Sequence, residues 1–278
     1  MATMNDNYLK YQSIIQRNQW ELQALQYREQ LLRTDEKFSV PENLNRFEYQ
    51  IHSQCGEDGI INEIFRRIGT FNRCFVELGA GNGLQNNTTA LLLDNWTGAW
   101  IEADPENLTI IREKFSSLIR KYRLSLSESF ITAENIEALL ETCNVPDEFD
   151  LMSIDIDGND YWVWKAVTRY HPRVVVGEYN ARFGKNLPWI MKYDSEYIWN
   201  GSSYYGASLK AFEKLAEEKG YRLVGCNLAG VNAFFIREDL VGDTFEQPFT
   251  SEHHYQPQRF FLQVDPVQKP DFGEFESL

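Results

Sequence analysis

The sequence has few cysteines for its length, and they are not grouped. Four cysteines are spread over 278 residues, with no CxxC pair and no histidine at ligand spacing from any of them. This pattern argues against both a structural zinc site and a disulfide framework. We interpret them as reduced thiols of the core; they are Cys55, Cys74, Cys143 and Cys226.

Long apolar runs are also missing. No stretch is long enough to span a bilayer, and the first residues, MATMNDNYLKYQ, lack the charged and then apolar order of a signal peptide. We therefore expect a cytoplasmic protein with no membrane partner.

Basic residues are scarce relative to acidic ones. The chain has 27 Lys and Arg against 41 Asp and Glu, for a net charge of -14. A protein that holds a phosphate backbone needs a basic surface to displace counterions. The charge therefore disfavours nucleic acid as a partner and favours small molecules.

What is present is enough apolar sequence for a large core, with 43% hydrophobic and 14% aromatic residues. The size suits one elaborated α/β domain better than two equal ones. We predict an N-terminal helical extension over residues 1–50, a main domain over 51–240 and a C-terminal tail over 241–278.

The N-terminal extension has the composition of a helix. Residues 7–33 contain no Gly or Pro, and apolar side chains fall on one stripe. This helix either packs on its own domain or forms a homodimer contact. The stripe consists of Tyr11, Ile15, Leu22, Leu25 and Leu32.

The main domain alternates strands with helices, which predicts right-handed crossovers and a parallel sheet. Two apolar segments near the end, separated by Asn227-Leu228-Ala229-Gly230, predict an antiparallel hairpin. The predicted strands are Phe75–Leu78, Ala99–Ala103, Arg123–Leu126, Leu151–Ile156, Arg173–Glu178, Tyr221–Cys226 and Ala233–Arg237. The predicted helices are Glu57–Ile68, Thr88–Asn95, Asn107–Tyr122, Ala133–Thr142, Asp160–Thr168 and Ala207–Lys219.

One segment breaks this alternation. Residues 180–205 contain scattered Gly, Trp and Tyr and have no clean periodicity. Long irregular insertions in compact domains are usually functional. We predict that residues 181–205 form a lid over the substrate.

The first strand leads into the most informative loop. The segment CFVELGAGNG, residues 74–83, is a buried strand that ends in an acid and runs into three alternating glycines. Glycines let the backbone turn tightly and approach a ligand where a Cβ would clash. The loop therefore predicts a nucleotide cofactor.

The ordered set of motifs resembles the class I S-adenosylmethionine-dependent methyltransferases over roughly residues 50–240. The set comprises the VELGAGNG loop, a second strand that ends in an acid, an IDIDG strand end and a terminal hairpin. Within that superfamily, the segments SQCGED (53–58), WIEADP (100–105) and SIDIDG (153–158) resemble FkbM-type enzymes. The resemblance implies a Rossmann-like methyltransferase fold and transfer of a methyl group to a hydroxyl of a sugar or natural product.

The resemblance also implies the residues that bind S-adenosylmethionine. Glu77 would lie near the methionine ammonium, Glu102 would accept both ribose hydroxyls, and Asp104 is its fallback. Ser127-Glu128-Ser129 would flank the adenine. The further candidates for cofactor binding are Gly79, Gly81, Asn82, Gly83 and Asp155.

NAD is the competing cofactor, because two glycines and an acid some twenty residues later also satisfy the dinucleotide fingerprint. That fingerprint is GxGxxG, whereas here the glycines run GxGxG and Leu84 follows Gly83. The acid before Gly79 and the late hairpin also favour the methyltransferase.

Acids gather where the fourth and fifth predicted strands end. Asp155, Asp157 and Asp160 crowd the end of one strand, and Glu178 and Asn180 lie at the end of the next. The carboxyl ends of neighbouring parallel strands meet in one crevice. Oxygen ligands of this kind suit Mg²⁺ or Mn²⁺, so Asp155, Glu178 and Asn180 form a candidate metal site. Without a metal, Asp157 or Glu178 is the candidate general base, although Asp157 could equally cap the following helix.

Together these observations predict an enzyme that moves a methyl group from S-adenosylmethionine to an oxygen of a small acceptor, such as a sugar or nucleotide sugar. Basic residues of the insertion, Arg182, Lys185 and Lys192, could meet a phosphate or carboxylate on that acceptor. The alternatives are a non-catalytic protein that binds the cofactor or a partner, and an NAD-dependent oxidoreductase.

Overall fold

The structure is a computed structural model that describes residues 4–263 and 271–273. Its strands are β1 (Cys74–Leu78), β2 (Thr97–Glu102), β3 (Leu124–Glu128), β4 (Glu148–Ile154), β5 (His171–Glu178), β6 (Tyr221–Cys226) and β7 (Asn232–Arg237). The helices are α1 (Met4–Thr34), α2 (Glu57–Ile68), α3 (Thr89–Leu93), α4 (Pro105–Lys114), α5 (Ser116–Arg120), α6 (Ile136–Thr142), α7 (Asp160–Ala166), α8 (Leu209–Glu218), α9 (Glu238–Val241) and α10 (Ser251–His254). Short 3₁₀ helices cover Glu36–Phe38, Leu44–Phe47, Ala181–Phe183 and Phe260–Leu262.

Within the described residues, the strands form one seven-stranded sheet in the order β3-β2-β1-β4-β5-β7-β6. Neighbours from β3 to β5 are parallel, whereas β7 is antiparallel to both β5 and β6. This topology confirms the predicted Rossmann-like methyltransferase fold with its closing hairpin and N-terminal helix.

The sheet is buried on both faces, which explains why its strands are continuous apolar runs. One face packs against α6, α7 and α8 around Trp164 and Phe212, and the other packs against α2, α4 and α5 around Trp100. Successive side chains of a strand point to opposite faces of the sheet. In β7, Phe234 therefore belongs to one core and Phe235 to the other.

The predicted helix over Asn107–Tyr122 is two helices, α4 and α5. The chain turns at Phe115, which is fully buried and packs edge-on against Trp100 with ring centroids 4.8 Å apart. Burial of this ring stabilises the chain more than an unbroken helix would. The predicted helix over Thr88–Asn95 is shortened to α3.

The N-terminal helix and the C-terminal segment pack on different parts of the domain. The second half of α1 contacts the 3₁₀ helices Glu36–Phe38 and Phe260–Leu262, while α10 packs on α8. None of the described helices is long and apolar enough to cross a membrane. Residues 1–3 of the predicted extension and residues 264–270 and 274–278 of the predicted tail lie outside the described residues.

The strand order places the site. The sheet starts at β1 and grows outward through β2 in one direction and through β4 in the other. Ligands of open α/β sheets bind at such a switch point, outside the carboxyl ends of the strands. Both the glycine loop after β1 and the acids after β4 and β5 reach this edge.

Candidate functional site

A cavity of about 1260 Å³ lies at the carboxyl ends of β1, β2, β4 and β5. Its volume exceeds the roughly 300–1,000 Å³ of most single-ligand pockets, so it has room for a cofactor and an acceptor. Most of the predicted site residues line it: Glu77, Gly79, Gly81, Glu102, Asp104, Asp155, Asp157 and Glu178. Asn82, Gly83 and Asn180 do not line it.

The three glycines of the loop have different roles. A Cβ at Gly79 would lie 1.8 Å from the Asp155 carbonyl oxygen, and a Cβ at Gly83 would lie 2.6 Å from the Trp100 ring. These two glycines allow close packing within the protein. Gly81 has a φ of 55°, and a Cβ there would meet no protein atom within 4 Å. Gly79 and Gly81 both line the cavity, and Gly81 is the one at which a side chain would meet no described protein atom.

Asn82 serves the loop itself. Its Oδ1 accepts a hydrogen bond from the Leu84 amide at 2.9 Å, which is an Asx turn. The structure thus places Asn82 in the turn rather than in the cavity wall.

Glu77 is buried and anchors the segment that leads into α3. Its carboxylate accepts the amides of Asn87 at 2.9 Å and Thr88 at 3.0 Å, and also the Thr88 hydroxyl. Burial raises its pKa to about 7, against these hydrogen bonds, which lower it. Glu77 therefore both shapes the loop and presents a carboxyl group to the cavity.

This arrangement bears on the NAD alternative. Dinucleotide sites place the pyrophosphate at the N-terminus of the helix that follows the glycine loop. Here α3 begins at Thr89, six residues after the last loop glycine, and the Glu77 carboxylate takes the amides just before it. An acid thus lies next to the N-terminus of α3, where its charge would oppose a pyrophosphate.

Glu102 holds the glycine loop against the end of β2. Its Oε2 accepts the Gly81 amide at 2.7 Å, and its Oε1 accepts the amides of Ala103 and Asp104 at 2.9 and 2.8 Å. A carboxylate has about four acceptor sites, so capacity remains for a ligand hydroxyl. The neighbouring Asp104 caps α4 by accepting the Glu106 amide at 2.7 Å.

Beyond β2, the cavity is lined by Glu128, Ser129, Phe130 and Ile131. This wall includes part of the segment predicted to flank an adenine. It adds an aromatic ring and an aliphatic side chain that the motif did not indicate.

The acids after β4 and β5 converge. Carboxylate oxygens of Asp155, Asp157 and Glu178 all lie within 4.8 Å of one another. Burial raises the pKa values of Asp155 and Glu178 well above normal, and the mutual repulsion of the carboxylates raises them further. At neutral pH this pair therefore retains a proton or requires a cation.

The structure does not bring Asn180 to these acids. Its Nδ2 donates to the carbonyls of Ser203 and Tyr205, both at 3.0 Å, and its Oδ1 accepts the Arg182 amide. The predicted trio of Asp155, Glu178 and Asn180 is replaced by one in which Asp157 is the third member. The side chain of Asn180 is used to fold the insertion back onto the sheet.

The turn that carries Asp157 is held by Asp160. The buried Asp160 carboxylate accepts the amides of Ile156 and Gly158 at 3.0 and 2.9 Å. Asp157 has a φ of 56° and is exposed, and no side chain caps α7. Asp160, rather than Asp157, therefore has the structural role at this turn.

Three buried oxygens of the cavity wall have no hydrogen-bond partner among the described residues. They are Glu178 Oε2, Asn159 Oδ1 and Asn232 Oδ1. Buried polar atoms are nearly always paired in folded proteins, so these acceptors indicate a ligand that donates hydrogen bonds.

Asn159 and Asn232 were missed by the sequence analysis. Asn232 opposes Glu178 in the β5–β7 register, and its Nδ2 donates to the buried Glu57 at 2.9 Å. The hairpin register could have placed Asn232 beside Glu178. The contact with Glu57 joins residues 175 positions apart, and no local pattern indicates it.

The insertion contributes Tyr197, Ile198 and Trp199 to the cavity wall. A Cβ at Gly158 would lie 2.6 Å from the Tyr197 ring, so this glycine allows the ring to approach the IDIDG turn. The basic residues predicted to meet the acceptor, Arg182, Lys185 and Lys192, do not line the cavity.

The charged side chains of the cavity wall are all acidic. Among the described residues, seven acids and no Lys, Arg or His line the cavity. The acids are Glu77, Glu102, Asp104, Glu128, Asp155, Asp157 and Glu178. Because a cavity with low-dielectric walls focuses its field, this wall favours cations and opposes phosphates.

No protein-family model matches the chain, and no curated protein matches it. Solved structures do match, with low identity. A candidate O-methyltransferase from Klebsiella pneumoniae is 17% identical, with 79% of this chain and 97% of that chain covered and a TM-score of 0.43. An O-methyltransferase from Bacillus cereus in complex with SAH is 16% identical, with 78% and 89% covered and a TM-score of 0.41. An S-adenosylmethionine-dependent methyltransferase from Clostridium acetobutylicum is 14% identical, with 76% and 96% covered and a TM-score of 0.40. These activities belong to the neighbours; for the present chain, function is inferred from the cavity.

Proposed function

We propose that this chain is an S-adenosylmethionine-dependent O-methyltransferase. The observation that carries the proposal is the acidic cavity at the switch point, with seven carboxyl groups and no basic side chain among its described lining residues. S-adenosylmethionine has a net positive charge from its sulfonium and ammonium groups, whereas NAD carries two phosphates. The charge of the wall thus supports the sulfonium cofactor.

Individual residues fit the parts of this cofactor. Glu77 offers a carboxylate to the ammonium, Gly81 offers bare backbone, and Glu102 keeps acceptor capacity for a ribose hydroxyl. When bound, the cofactor supplies an electrophilic methyl group on a sulfonium that is already a good leaving group. The chain has to position an acceptor oxygen against that methyl and remove its proton.

Glu178 is our choice for the residue that accepts this proton. It lines the cavity, and its Oε2 has no partner among the described residues. When the proton that the pair retains lies on Asp155, Glu178 is ionised, and its raised pKa makes it a stronger base than an exposed carboxylate. Asp155 stands beside it and contributes to the raised pKa. Asp157, which is exposed, is the alternative base.

For the acceptor we propose an uncharged, carbohydrate-related hydroxyl compound of the kind that FkbM-type enzymes use. Unpaired acceptors on Asn159 and Asn232 suit the hydroxyl donors of a sugar, and Tyr197 and Trp199 offer rings to its apolar face. A nucleotide sugar fits less well, because no basic side chain among the described lining residues would meet its phosphates.

A metal-dependent version of the same reaction is the second candidate. The cluster of Asp155, Asp157 and Glu178 offers three hard oxygen ligands, which suit Mg²⁺ or Mn²⁺. A cation there would hold the three carboxyl groups ionised and orient an acceptor hydroxyl. Activity that is abolished by a chelator and restored by Mg²⁺ would support this version, and activity that persists in the chelator would exclude it.

Isothermal titration calorimetry tests the cofactor directly. We expect S-adenosylmethionine and S-adenosylhomocysteine to bind and NAD not to bind. Glu102→Ala should weaken binding at least tenfold, because it removes both the acceptor for a ribose hydroxyl and the support of the Gly81 amide. Glu113→Ala is the matched control, since Glu113 is exposed on α4 and does not line the cavity. Absence of binding by both sulfur compounds would contradict the proposal.

A methyl acceptor can then be sought by detecting S-adenosylhomocysteine after incubation with glycan intermediates and nucleotide sugars. Binding of the cofactor without turnover on any acceptor would favour the non-catalytic alternative.

A further inference from the structure

Helix α1 has two apolar faces, and the described residues of the chain cover only one of them. On the covered face, Ala24 is buried, the Trp20 Nε1 donates to the Phe261 carbonyl at 2.8 Å, and the Tyr27 ring packs edge-on against Phe261 at 5.1 Å. At about 100° per residue, these residues share one side of the helix.

The opposite side carries a second apolar stripe with heptad spacing. The a and d positions of this heptad are residues 8, 11, 15, 18, 22, 25, 29 and 32. Five of them are large apolar side chains that are more than half exposed: Tyr8 (60%), Tyr11 (67%), Ile15 (56%), Leu22 (55%) and Leu25 (54%).

We propose that this second stripe binds α1 of another copy of the chain in an antiparallel two-stranded coiled coil. An apolar stripe restricted to a and d positions is the narrow seam of a coiled coil rather than the wider face of a helix packed on a domain. The helix has 31 residues, which is about 46 Å at 1.5 Å per residue. Ten half-exposed apolar side chains from two helices would bury on the order of 1,000 Å², close to the roughly 1,200 Å² of small stable interfaces.

The buried charge at position a favours the antiparallel orientation, in which the like-charged contact of Glu21 with Glu21 of the second copy lies at position g, on the solvated edge of the seam. A parallel pair would place Glu29 at position a opposite Glu29 of the second copy, and Arg28 next to Arg33 across the seam. In an antiparallel pair, each a position meets a d position, so that paired residue numbers add up to 40. Ile15 then faces Leu25, and Glu29 faces Tyr11, whose hydroxyl is a donor.

A groove at the end of α1 can accommodate a side chain of the second copy in the antiparallel pair. It has a volume of about 570 Å³ and is lined by Leu25, Leu32 and Phe38 together with polar residues. Because 8 and 32 add up to 40, the antiparallel pair brings Tyr8 of the second copy beside Leu32, at this groove. A parallel pair would leave the groove beside the second copy's own Leu32.

Light scattering after size exclusion tests the dimer on the full chain. We expect the parent protein to have twice the monomer mass, and the double variant Ile15→Glu/Leu22→Glu to have the monomer mass. The control is Gln23→Glu, which adds a negative charge at an exposed position outside the seam and should stay dimeric. Circular dichroism should show that all three remain folded, because the substituted residues are exposed. A monomeric parent, or a dimer that survives the double variant, would overturn the proposal.

Disulfide trapping tests the orientation. Ile15→Cys and Leu25→Cys proteins should cross-link when mixed under oxidising conditions and should not cross-link separately. Cross-linking of each protein alone would instead show a parallel pair. The parent protein gives the background from the four native cysteines, two of which are buried.

Discussion

At the scale of single residues, the glycine loop divides its roles between packing and ligand. Gly79 and Gly83 are required by neighbouring protein atoms, whereas space is open at Gly81. A sequence motif cannot make this distinction, because all three glycines satisfy it equally. A substitution at Gly81 can therefore test ligand binding with little disturbance of the fold.

We predict that Gly81→Ala leaves the fold intact but weakens cofactor binding by at least tenfold. An alanine at φ 55° costs about 1–2 kcal/mol, so the melting temperature should fall by only a few degrees. The new methyl group meets no protein atom, and the loss of affinity would therefore come from the ligand. Calorimetry and thermal unfolding measure the two effects. Unchanged affinity would show that the cofactor does not approach Gly81.

Glu178→Gln should separate binding from chemistry. The amide keeps the size of the side chain but cannot accept a proton, so we expect turnover to fall about 10²–10⁴-fold. Cofactor affinity should change by no more than a few-fold, because Glu178 is assigned to the acceptor. Production of S-adenosylhomocysteine with an identified acceptor is the measurement, and Glu113→Gln, at an exposed position of α4 outside the cavity, is the control. Equal activity of Glu178→Gln and the parent protein would move the role of base to Asp157.

At the scale of elements, the sequence predicted the central strands and the hairpin well, because each is a buried apolar run closed by turn residues. Helix α2 and strand β6 have the predicted bounds. The third strand extends to Glu128, since its alternating serines conceal a strand that is buried only in part. The break at Phe115 was not predicted, because it depends on contact with Trp100 from another strand.

The position of a residue in the cavity wall was predictable where it follows directly from a strand end, as for Glu102, Asp155 and Glu178. It was not predictable where a side chain depends on distant folding. Asn180 follows β5 as a metal ligand would, yet it binds carbonyls of an insertion that returns more than twenty residues later. Asn232 is the opposite case: it was not predicted as a site residue, yet it lines the cavity because the hairpin places it beside Glu178.

One element links α1 to the cavity. The 3₁₀ helix Phe260–Leu262 contributes Phe260 to the cavity wall and is held by Trp20 and Tyr27 through Phe261. We predict that Trp20→Ala increases hydrogen exchange at the amides of Leu262 and Gln263, which close this turn. Mass spectrometry of the peptide containing these residues measures the effect, with Gln23→Ala as the control. Exchange that is unchanged by Trp20→Ala would mean that the turn is held from the domain side alone.

At the scale of the whole molecule, an acidic chain with a net charge of -14 folds with several carboxyl groups buried. Burial raises the pKa of Glu48 to about 8, of Glu77 to about 7 and of Asp160 to about 6. These groups hold protons in the folded state that the unfolded chain releases near its ordinary pKa values. Their contribution to stability is complete below those ordinary values and is lost as the pH rises through the folded-state values.

We therefore predict that the melting temperature of the protein falls as the pH rises from about 6 to 8.5. One unit of pKa difference corresponds to about 1.4 kcal/mol, so the combined loss from Glu48 and Glu77 over this range should be a few kcal/mol, or roughly 5–10 °C. The contribution of Asp160 is already lost at its folded-state pKa of about 6, the lower end of the range. His254 has the opposite effect on stability, but only at a pH below its ordinary pKa. Burial lowers its pKa to about 3, so between these two values the unfolded chain takes up a proton that the folded protein does not. Differential scanning fluorimetry at constant ionic strength measures the curve. Glu77→Gln should flatten it around pH 7, whereas Glu128→Gln, at a half-exposed position, should not. A melting temperature that rises with pH over this range would show that the buried carboxyl groups are ionised in the folded protein.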